Sequence, residues 1–296
     1  MSVAFLTAAT VDDALQALAA GARPVAGGTD LVVGARQGKA PLPASLVAVH
    51  RLDELRGIQE AKGGLRIGAL ATHAEIVANP LVRERFTSLA DASAIVGSHA
   101  TRAQGTIGGN LMNASPAMET GGPLICLGAT ATFRSESGTR SVAVEDLFVG
   151  PGTTVAEPGE LLVSVELPAP ADGTGSAYVR LEYRRQMEIA VVGATARVTL
   201  DGDKVTGARI AITALAPTIR HVPDAEAALD GTSGSTEDVA SAARAAATAA
   251  RPISDVRASE RYRRAMAEVI ARRAINAALT RARGGDVAIP ASGSTR

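Results

Sequence analysis

The residues best suited to chemistry in this 296-residue chain crowd into SHATRAQGTIGGNLMNASPAMETGG, Ser98 to Gly122. Glycines, amides and hydroxyls stand there between two apolar segments, the composition of a loop that wraps something polar and anionic. At Gly108 and Gly109 the missing Cβ lets the backbone take positive φ and bring two successive N–H groups close to an anion. Thr106 can add a hydroxyl donor, Asn110 and Asn113 can add amides, and Ser115 follows before Pro116 stiffens the exit. The set reads as a pyrophosphate cradle. A Gly-Gly pair alone is usually plain loop punctuation, and a second glycine segment upstream changes that weighing.

That segment is PVAGGTDLVVGARQG, Pro24 to Gly38. Ala26, Gly27 and Gly28 follow an apolar run ending at Val25. Thr29 or Asp30 can cap a helix through Leu31, Val32 and Val33, leaving free N–H groups for phosphate. Two such segments point to one extended ligand held at both ends, where a mononucleotide needs one. Standard nucleotide signatures do not account for them. There is no G-x-G-x-x-G, and GARQGKA, Gly34 to Ala40, is one residue short of a P-loop and has Ala where Ser or Thr is required.

Other chemistries find little support. No Ser, His and acid set and no G-x-S-x-G elbow stands out, so no catalytic residue is assigned. The single cysteine, Cys126, excludes an internal disulfide framework and cannot hold an iron–sulfur cluster, which takes four thiolates. His50, His73, His99 and His221 never stand at metal-ligand spacing, so no metal site is expected. Lys plus Arg (30) balances Asp plus Glu (30), and no basic field recommends nucleic acid. The N-terminus lacks a basic n-region and a small-residue cleavage site, and no apolar run reaches the roughly 18 residues of a membrane span. A soluble, cytoplasmic protein without a membrane span is expected.

Elements to position the two segments follow from pattern. Val3 to Leu6 reads as a strand, and Thr10 caps a helix to Ala20 with Gly21 just beyond. Leu46 to His50 and Leu65 to Leu70 read as buried strands. Thr72-x-x-Glu75 is a capping box for a helix that stops before Pro80, and Leu81 to Val96 reads as helix. Ala129 to Arg134 and Arg140 to Val144 bracket SESGT as a hairpin, and Leu161 to Leu167 is a strand closed by Pro168. The Pro-, Gly- and Ser-rich run Pro168 to Ser176 is the best linker. Beyond it Ala177 to Tyr183, Ile189 to Leu200 and Val205 to Leu215 read as strands, with Asp201-Gly202 as a turn. Helical patterns near Asp224 to Leu229, Thr236 to Ala250 and Ser259 to Arg283 complete an α+β plan with an antiparallel C-terminal sheet. The alanine-rich pattern from Thr236 reads as a good helix former in small-residue packing. The divisions expected are 1–170, 177–284 and a flexible tail, 285–296.

PVAGGTDL, GTIGGNLMNASPAMET, PGELLVSVELP and ASERYRRAMAEVIARRAI occur in that order and at family-like separations. Together they resemble the FAD-binding medium subunit of the molybdenum hydroxylases, the xanthine dehydrogenase and carbon monoxide dehydrogenase family. The resemblance runs from about Phe5 to about Arg283. It implies a two-part FAD-binding domain of the PCMH (vanillyl-alcohol-oxidase-like) type and FAD as cofactor. Ala26, Gly27, Gly28, Thr29, Asp30 and Leu31 match the first FAD segment; Thr106, Gly108, Gly109, Asn110 and Asn113 fall in the second, which meets the pyrophosphate. Glu119 stands where the family has an acidic residue, more often Asp, bonded to ribose or ribityl hydroxyls. Leu161 and Arg180 fall near positions touching the isoalloxazine edge, and Ile189 near one on its face.

The resemblance also implies partners. These are a large subunit bearing the molybdenum cofactor, a small subunit with 2Fe-2S clusters, and an electron acceptor such as NAD, oxygen or quinone. The AGGTDL loop leans toward a xanthine dehydrogenase-like or aromatic hydroxylase system. Plainer readings stand beside each assignment. Thr29 or Asp30 can be simple caps, Glu119 a solvated carboxylate, Leu161 and Ile189 core, Arg180 with Tyr183 to Arg185 a solvated strand edge or partner contacts, and His99 a hydrogen-bonded loop residue. Two other function classes also stay open, a self-sufficient flavin oxidoreductase and a non-catalytic module that binds a phosphate ligand.

Overall fold

The computed structural model describes residues 3–292. The chain opens with β1 (Ala4–Thr7), α1 (Val11–Ala19), β2 (Arg23–Val25), α2 (Leu31–Arg36) and β3 (Ser45–Ala48). These strands form a parallel sheet in the order β1-β3-β2. Thr10 caps α1 as its spacing predicts, its hydroxyl accepting from Asp13 N–H while the Asp13 carboxylate accepts from Thr10 N–H. Val11, Ala14, Leu15 and Leu18 of α1 pack on Val47 of β3.

Next come β4 (Ile58–Ala61) and β5 (Gly64–Gly68), then six helices in succession: α3 (His73–Ala78), α4 (Pro80–Arg85), α5 (Thr87–Ile95), α6 (His99–Gln104), α7 (Ile107–Asn113) and α8 (Gly121–Cys126). Strands β6 (Thr130–Ser135) and β7 (Gly138–Ala143), the small β8 (Phe148–Gly150) and β9 (Thr153–Thr154), and β10 (Leu161–Leu167) follow. An antiparallel sheet runs β4-β5-β10-β6-β7. The helix expected over Leu81 to Val96 is divided at Phe86, whose buried ring sits in the core beside Leu89.

The stretch from Ser98 to Gly122 is not a loop. Ser98 and Thr106 each accept from the backbone three residues on, nucleating α6 and α7 in sequence rich in glycine. Gly108 and Gly109 are helical and do not take positive φ. Glycine is needed at 108 for another reason: a Cβ there would lie 2.7 Å from the Ala69 carbonyl oxygen.

The C-terminal part is an antiparallel sheet, β11 (Thr174–Leu181), β12 (Val192–Asp201), β13 (Lys204–Thr213) and β14 (Arg220–His221), followed by α9 (Pro223–Ala227), α10 (Thr236–Ala249) and α11 (Glu260–Ala282). Strand alternation gives the sheet two unlike faces. Ala177, Val179, Val192, Ala194, Ala196, Val198, Ile210 and Ile212 pack on α10 and α11. On the opposite face register places Tyr178 beside Thr195, Arg180 beside Gly193 and Gly193 beside Thr213. This polar face meets the N-terminal part: a Cβ on Gly122 of α8 would fall 2.6 Å from the Thr195 hydroxyl. At the same seam His221 Nδ1 lies 2.6 Å from Glu145 and its Nε2 2.5 Å from Glu226.

Part of the expected tail packs against the fold. Ala291 is buried and its N–H donates to Asp91 at 2.9 Å, while Arg281 donates to the Val287 and Ala288 carbonyls. A buried carboxylate with spare lone pairs holds the segment in place. Residues 293–296 of the expected tail lie outside the described residues.

Candidate site at two glycine segments

The first glycine segment bridges β2 and α2. Gly28 takes φ +69°, a conformation open to glycine at little cost. From Ala26 to Leu31 no backbone N–H has an acceptor among the described residues. Free donors in a row at a helix start are the kind of group that can meet an anion. Asp30 precedes the helix, but its side chain makes no cap hydrogen bond, and Thr29 does not cap it either. The expected capping is absent, which leaves these N–H groups free.

The second segment differs from expectation. Ile107 N–H donates to Ala71 O, Gly108 N–H to Ala69 O and Gly109 N–H to Thr106 Oγ1 at 3.1 Å. These donors are therefore spent on the protein, and α7 can contribute shape and side chains but not the predicted N–H pair. Gly109 is exposed, and a Cβ there would meet only Thr106 Oγ1 within 4 Å, so the surface above it is open. Asn110 Oδ1 accepts from the Thr120 hydroxyl at 2.5 Å, and the amide's N–H₂ has no acceptor among the described residues. Asn113 ends α7, and Ala114 follows in the left-handed region at φ 46°.

The two segments touch. A Cβ on Gly27 would lie 1.9 Å from the Gln104 carbonyl oxygen, and one on Gly105 would lie 3.5 Å from both Thr29 Oγ1 and His73 Cδ2. His73, absent from the sequence-based site, is buried here with its backbone N–H on Gly105 O and Nδ1 without a protein partner. Burial, aided by the Arg102 charge, holds its pKa down at about 4, so the ring is neutral and can accept or donate. The only sequence signal for it was its place inside the Thr72-x-x-Glu75 capping box, which is formed.

Beyond α7, Glu119 is buried and accepts from Arg180 Nη1 at 2.6 Å. Arg180 Nε donates to Glu182 at 2.6 Å and Nη1 also reaches the Glu188 carbonyl at 3.3 Å. Structure thus joins Glu119 and Arg180, two of the expected site residues, into one ion pair, and adds Glu182. Arg102 lies near enough for its charge to be felt at both His73 and Arg180. Ile189 is exposed in the β11–β12 connection, whereas Leu161 is 5% exposed and belongs to the core beneath Ala26. Among the described residues no group of His, Cys, Asp or Glu side chains stands where it could hold a metal ion, and no helix is long and apolar enough to cross a membrane.

The fold is an α+β chain with a row of acceptor-free amides beside a helix-backed antiparallel sheet, an arrangement compatible with a phosphorylated ligand. Residues 1–170 match the family described as the FAD binding domain in molybdopterin dehydrogenase, and residues 177–278 the CO dehydrogenase flavoprotein C-terminal domain. The chain belongs to this family of molybdopterin dehydrogenase flavoproteins. It is 33% identical over 239 residues to the carbon monoxide dehydrogenase medium chain of Hydrogenophaga pseudoflava, covering 81% of this chain and 83% of that one. It is also 33% identical over 285 residues to subunit alpha of the 6-hydroxypseudooxynicotine dehydrogenase complex of Paenarthrobacter nicotinovorans, covering 94% and 95%. Its fold matches quinoline 2-oxidoreductase from Pseudomonas putida 86 with a TM-score of 0.89 at 31% identity, over 95% of this chain and 98% of that one. FAD is accordingly its cofactor, and the chain is an FAD-binding medium subunit of the molybdenum hydroxylase type, part of an oxidoreductase.

Proposed function

We propose that this chain relays electrons. It takes them from the iron–sulfur clusters of a small partner subunit, after a large subunit bearing the molybdenum cofactor has oxidised a substrate. It then passes them to NAD, oxygen or a quinone. The single observation that carries the reading is the row of unpaired N–H groups from Ala26 to Leu31, set against the end of α6. When bound, FAD supplies the capacity to take up and release electrons.

The residues of this chain do the holding. Ala26 to Leu31 take the pyrophosphate through the backbone, the positive φ of Gly28 turning the amides one way. Thr106, Gly108 and Gly109 shape the facing wall, and Asn110 and Asn113 offer amides. Glu119 acts on the site through Arg180, to which it is bonded, and Ile189 offers an exposed apolar surface. Leu161 supports the first segment from below. In this reading residues 1–170 carry the cofactor and 177–284 form the second domain.

The test is the visible spectrum of the purified chain, with the released chromophore identified by mass. Bound or readily restored FAD, weakened at least tenfold in Gly28→Ala, supports the assignment of the segment. A folded chain that takes up no added FAD overturns the reading for the chain alone. Electron transfer then requires FAD reduction by the purified iron–sulfur partner, and a failure of that step with FAD bound would remove the relay role.

A further inference from the structure

Two carboxylates converge on one guanidinium in the interior of this chain. Arg180 lies 2.6 Å from Glu119 and 2.6 Å from Glu182, and its side chain is 1% exposed. Side-chain exposure is 9% for Glu119 and 26% for Glu182. If both carboxylates were ionised, the trio would carry one more negative charge than positive, with Glu119 and Arg180 withdrawn from water and only Glu182 in contact with it, which disfavours the charged form of the buried partner. Among the described residues no second cation pairs with either carboxylate. Arg102 of α6 gives its Nη1 to the Val96 carbonyl, and Arg184 pairs with Glu188 at 3.2 Å. Tyr178, one strand residue pair away on β11, is buried with its hydroxyl unpartnered, and burial pushes it far above the usual phenol range, so it stays neutral.

The trio is linked to the second glycine segment by sequence and by hydrogen bonding. Thr120, next to Glu119, bonds Asn110 of α7, and Arg102 projects from α6, the helix whose end receives Gly27. We propose that Glu119 is a proton-carrying positioning residue, which competes with Glu182 for Arg180 and thereby couples the potential of the bound flavin to proton uptake. The proposal rests on the reading that FAD occupies this site.

Glu119 rather than Glu182 takes the proton, because it is the more buried of the two and Glu182 keeps contact with water. Burial pushes Glu119 up to about 7, against the pull of Arg180. In the protonation step an O–H bond of Glu119 forms with a proton from solvent water, and no electron moves. In the reverse step that bond breaks, the proton returns to water and Arg180 pairs the carboxylate. Electrons added to the site make a neutral Glu119 more favourable than a charged one, by simple Coulomb repulsion in a poorly screened interior. Reduction and proton uptake are therefore linked, and by reciprocity a charged Glu119 disfavours reduction.

The experiment is potentiometric titration of the full chain reconstituted with FAD, at several pH values, for the natural sequence, Glu119→Gln, Glu119→Asp and Glu182→Gln. Titrated between about 6 and about 9, the midpoint potential is expected to fall more steeply with pH above about 7, where Glu119 is charged in the oxidised chain and takes up a proton on reduction, than the flavin's own protons require. Glu119→Gln removes the extra steepness, and Glu119→Asp keeps it. Glu182→Gln, at the less buried position, leaves Arg180 to Glu119 alone and moves the steep interval to lower pH. A profile in which the Gln and natural chains coincide overturns the proposal while FAD binding, read from the spectrum, leaves the cofactor reading intact. Infrared difference spectra between the same pH limits give a second readout that also serves if Glu119→Gln folds poorly. Loss of a protonated carboxyl band, with its onset moved to lower pH in Glu182→Gln, supports the proposal, and absence of any such band overturns it. A folded chain with no FAD uptake is the separate failure of the reading beneath it.

Discussion

Arg281 and Asp91, 190 positions apart, form a two-pronged ion pair, with Nη1 donating to Oδ2 at 2.7 Å and Nη2 to Oδ1 at 3.0 Å. Asp91 is fully buried, and its remaining capacity is filled by the N–H groups of Tyr178 and Ala291. One carboxylate on α5 thereby fastens β11, α11 and the C-terminal segment. Removing the arginine leaves a buried charge without its counter-ion, a change that costs about 3–5 kcal/mol. Arg281→Met is expected to lower stability by about that amount in urea unfolding, with a fast-exchanging Ala291 amide. Asp91→Asn combined with it should cost less than the sum of the two single changes. Additive losses would show that the pair acts as two separate contacts.

Gly27 is held against the backbone of α6, and its substitution separates packing from charge. In Gly27→Ala the new Cβ would meet the Gln104 carbonyl oxygen at 1.9 Å, so the first segment or α6 must shift. A loss of stability of about 1–3 kcal/mol is expected, as for other overpacked sites, together with at least a tenfold loss of FAD affinity. Gly28→Ala meets only ordinary contacts at 3.5 Å and strains the backbone instead, at about 1–2 kcal/mol. Titration of FAD fluorescence into both variants checks this. Equal affinity in Gly27→Ala and the natural chain would detach the first segment from the ligand.

Much of this architecture was legible locally. The capping boxes at Thr10 and Thr72 join residues three apart, and the strand Leu161 to Leu167 is bounded by Pro168, so both follow from neighbouring sequence. The stretch from Ser98 to Gly122 was not. Its glycines oppose helix formation, and α7 forms because Thr106 caps it and Gly108 lets it lie on Ala69. That contact lies about 39 positions away in the chain, so the helical backbone at these residues was not legible from their local composition. The amides from Ala26 to Leu31 are free, as their place before a helix start implied, yet the expected Thr29 or Asp30 cap is missing. Pairs such as Glu119 with Arg180 and Asp91 with Ala291 were out of reach because nothing in local sequence sets partners 61 or 200 positions apart.

Asp255 gives the fold an acid-sensitive joint. Its partial burial works against the charged form, but the N–H groups of Arg257 and Ala258 and the Arg263 guanidinium more than offset this and hold its pKa at about 2, below the ordinary 3.8. A carboxylate with a lowered folded pKa contributes stability above its unfolded value, and that contribution is lost as pH falls from about 3.8 through about 2. Asp255→Asn is therefore expected to lower stability at neutral pH and to flatten the decline over that acid interval. Thermal unfolding at stepped pH reads both effects. A variant with the same acid slope as the natural chain would assign the decline to other carboxylates.

Ligand binding should appear as stability without disturbing the Asp91 joint. At FAD concentrations about a hundredfold above the dissociation constant, linkage adds about 2.7 kcal/mol. At roughly 2–4 °C per kcal/mol for chains approaching this size, Tm should rise by roughly 5–10 °C on adding FAD and fall back on its removal. Gly28→Ala should shrink that rise, because it alters the segment that receives the ligand. Arg281→Met should lower Tm with and without FAD by similar amounts, because the Asp91 pair bonds none of the residues of the first glycine segment. A rise lost in Arg281→Met would instead mean that the α5, β11 and α11 junction sets the geometry of the cofactor site.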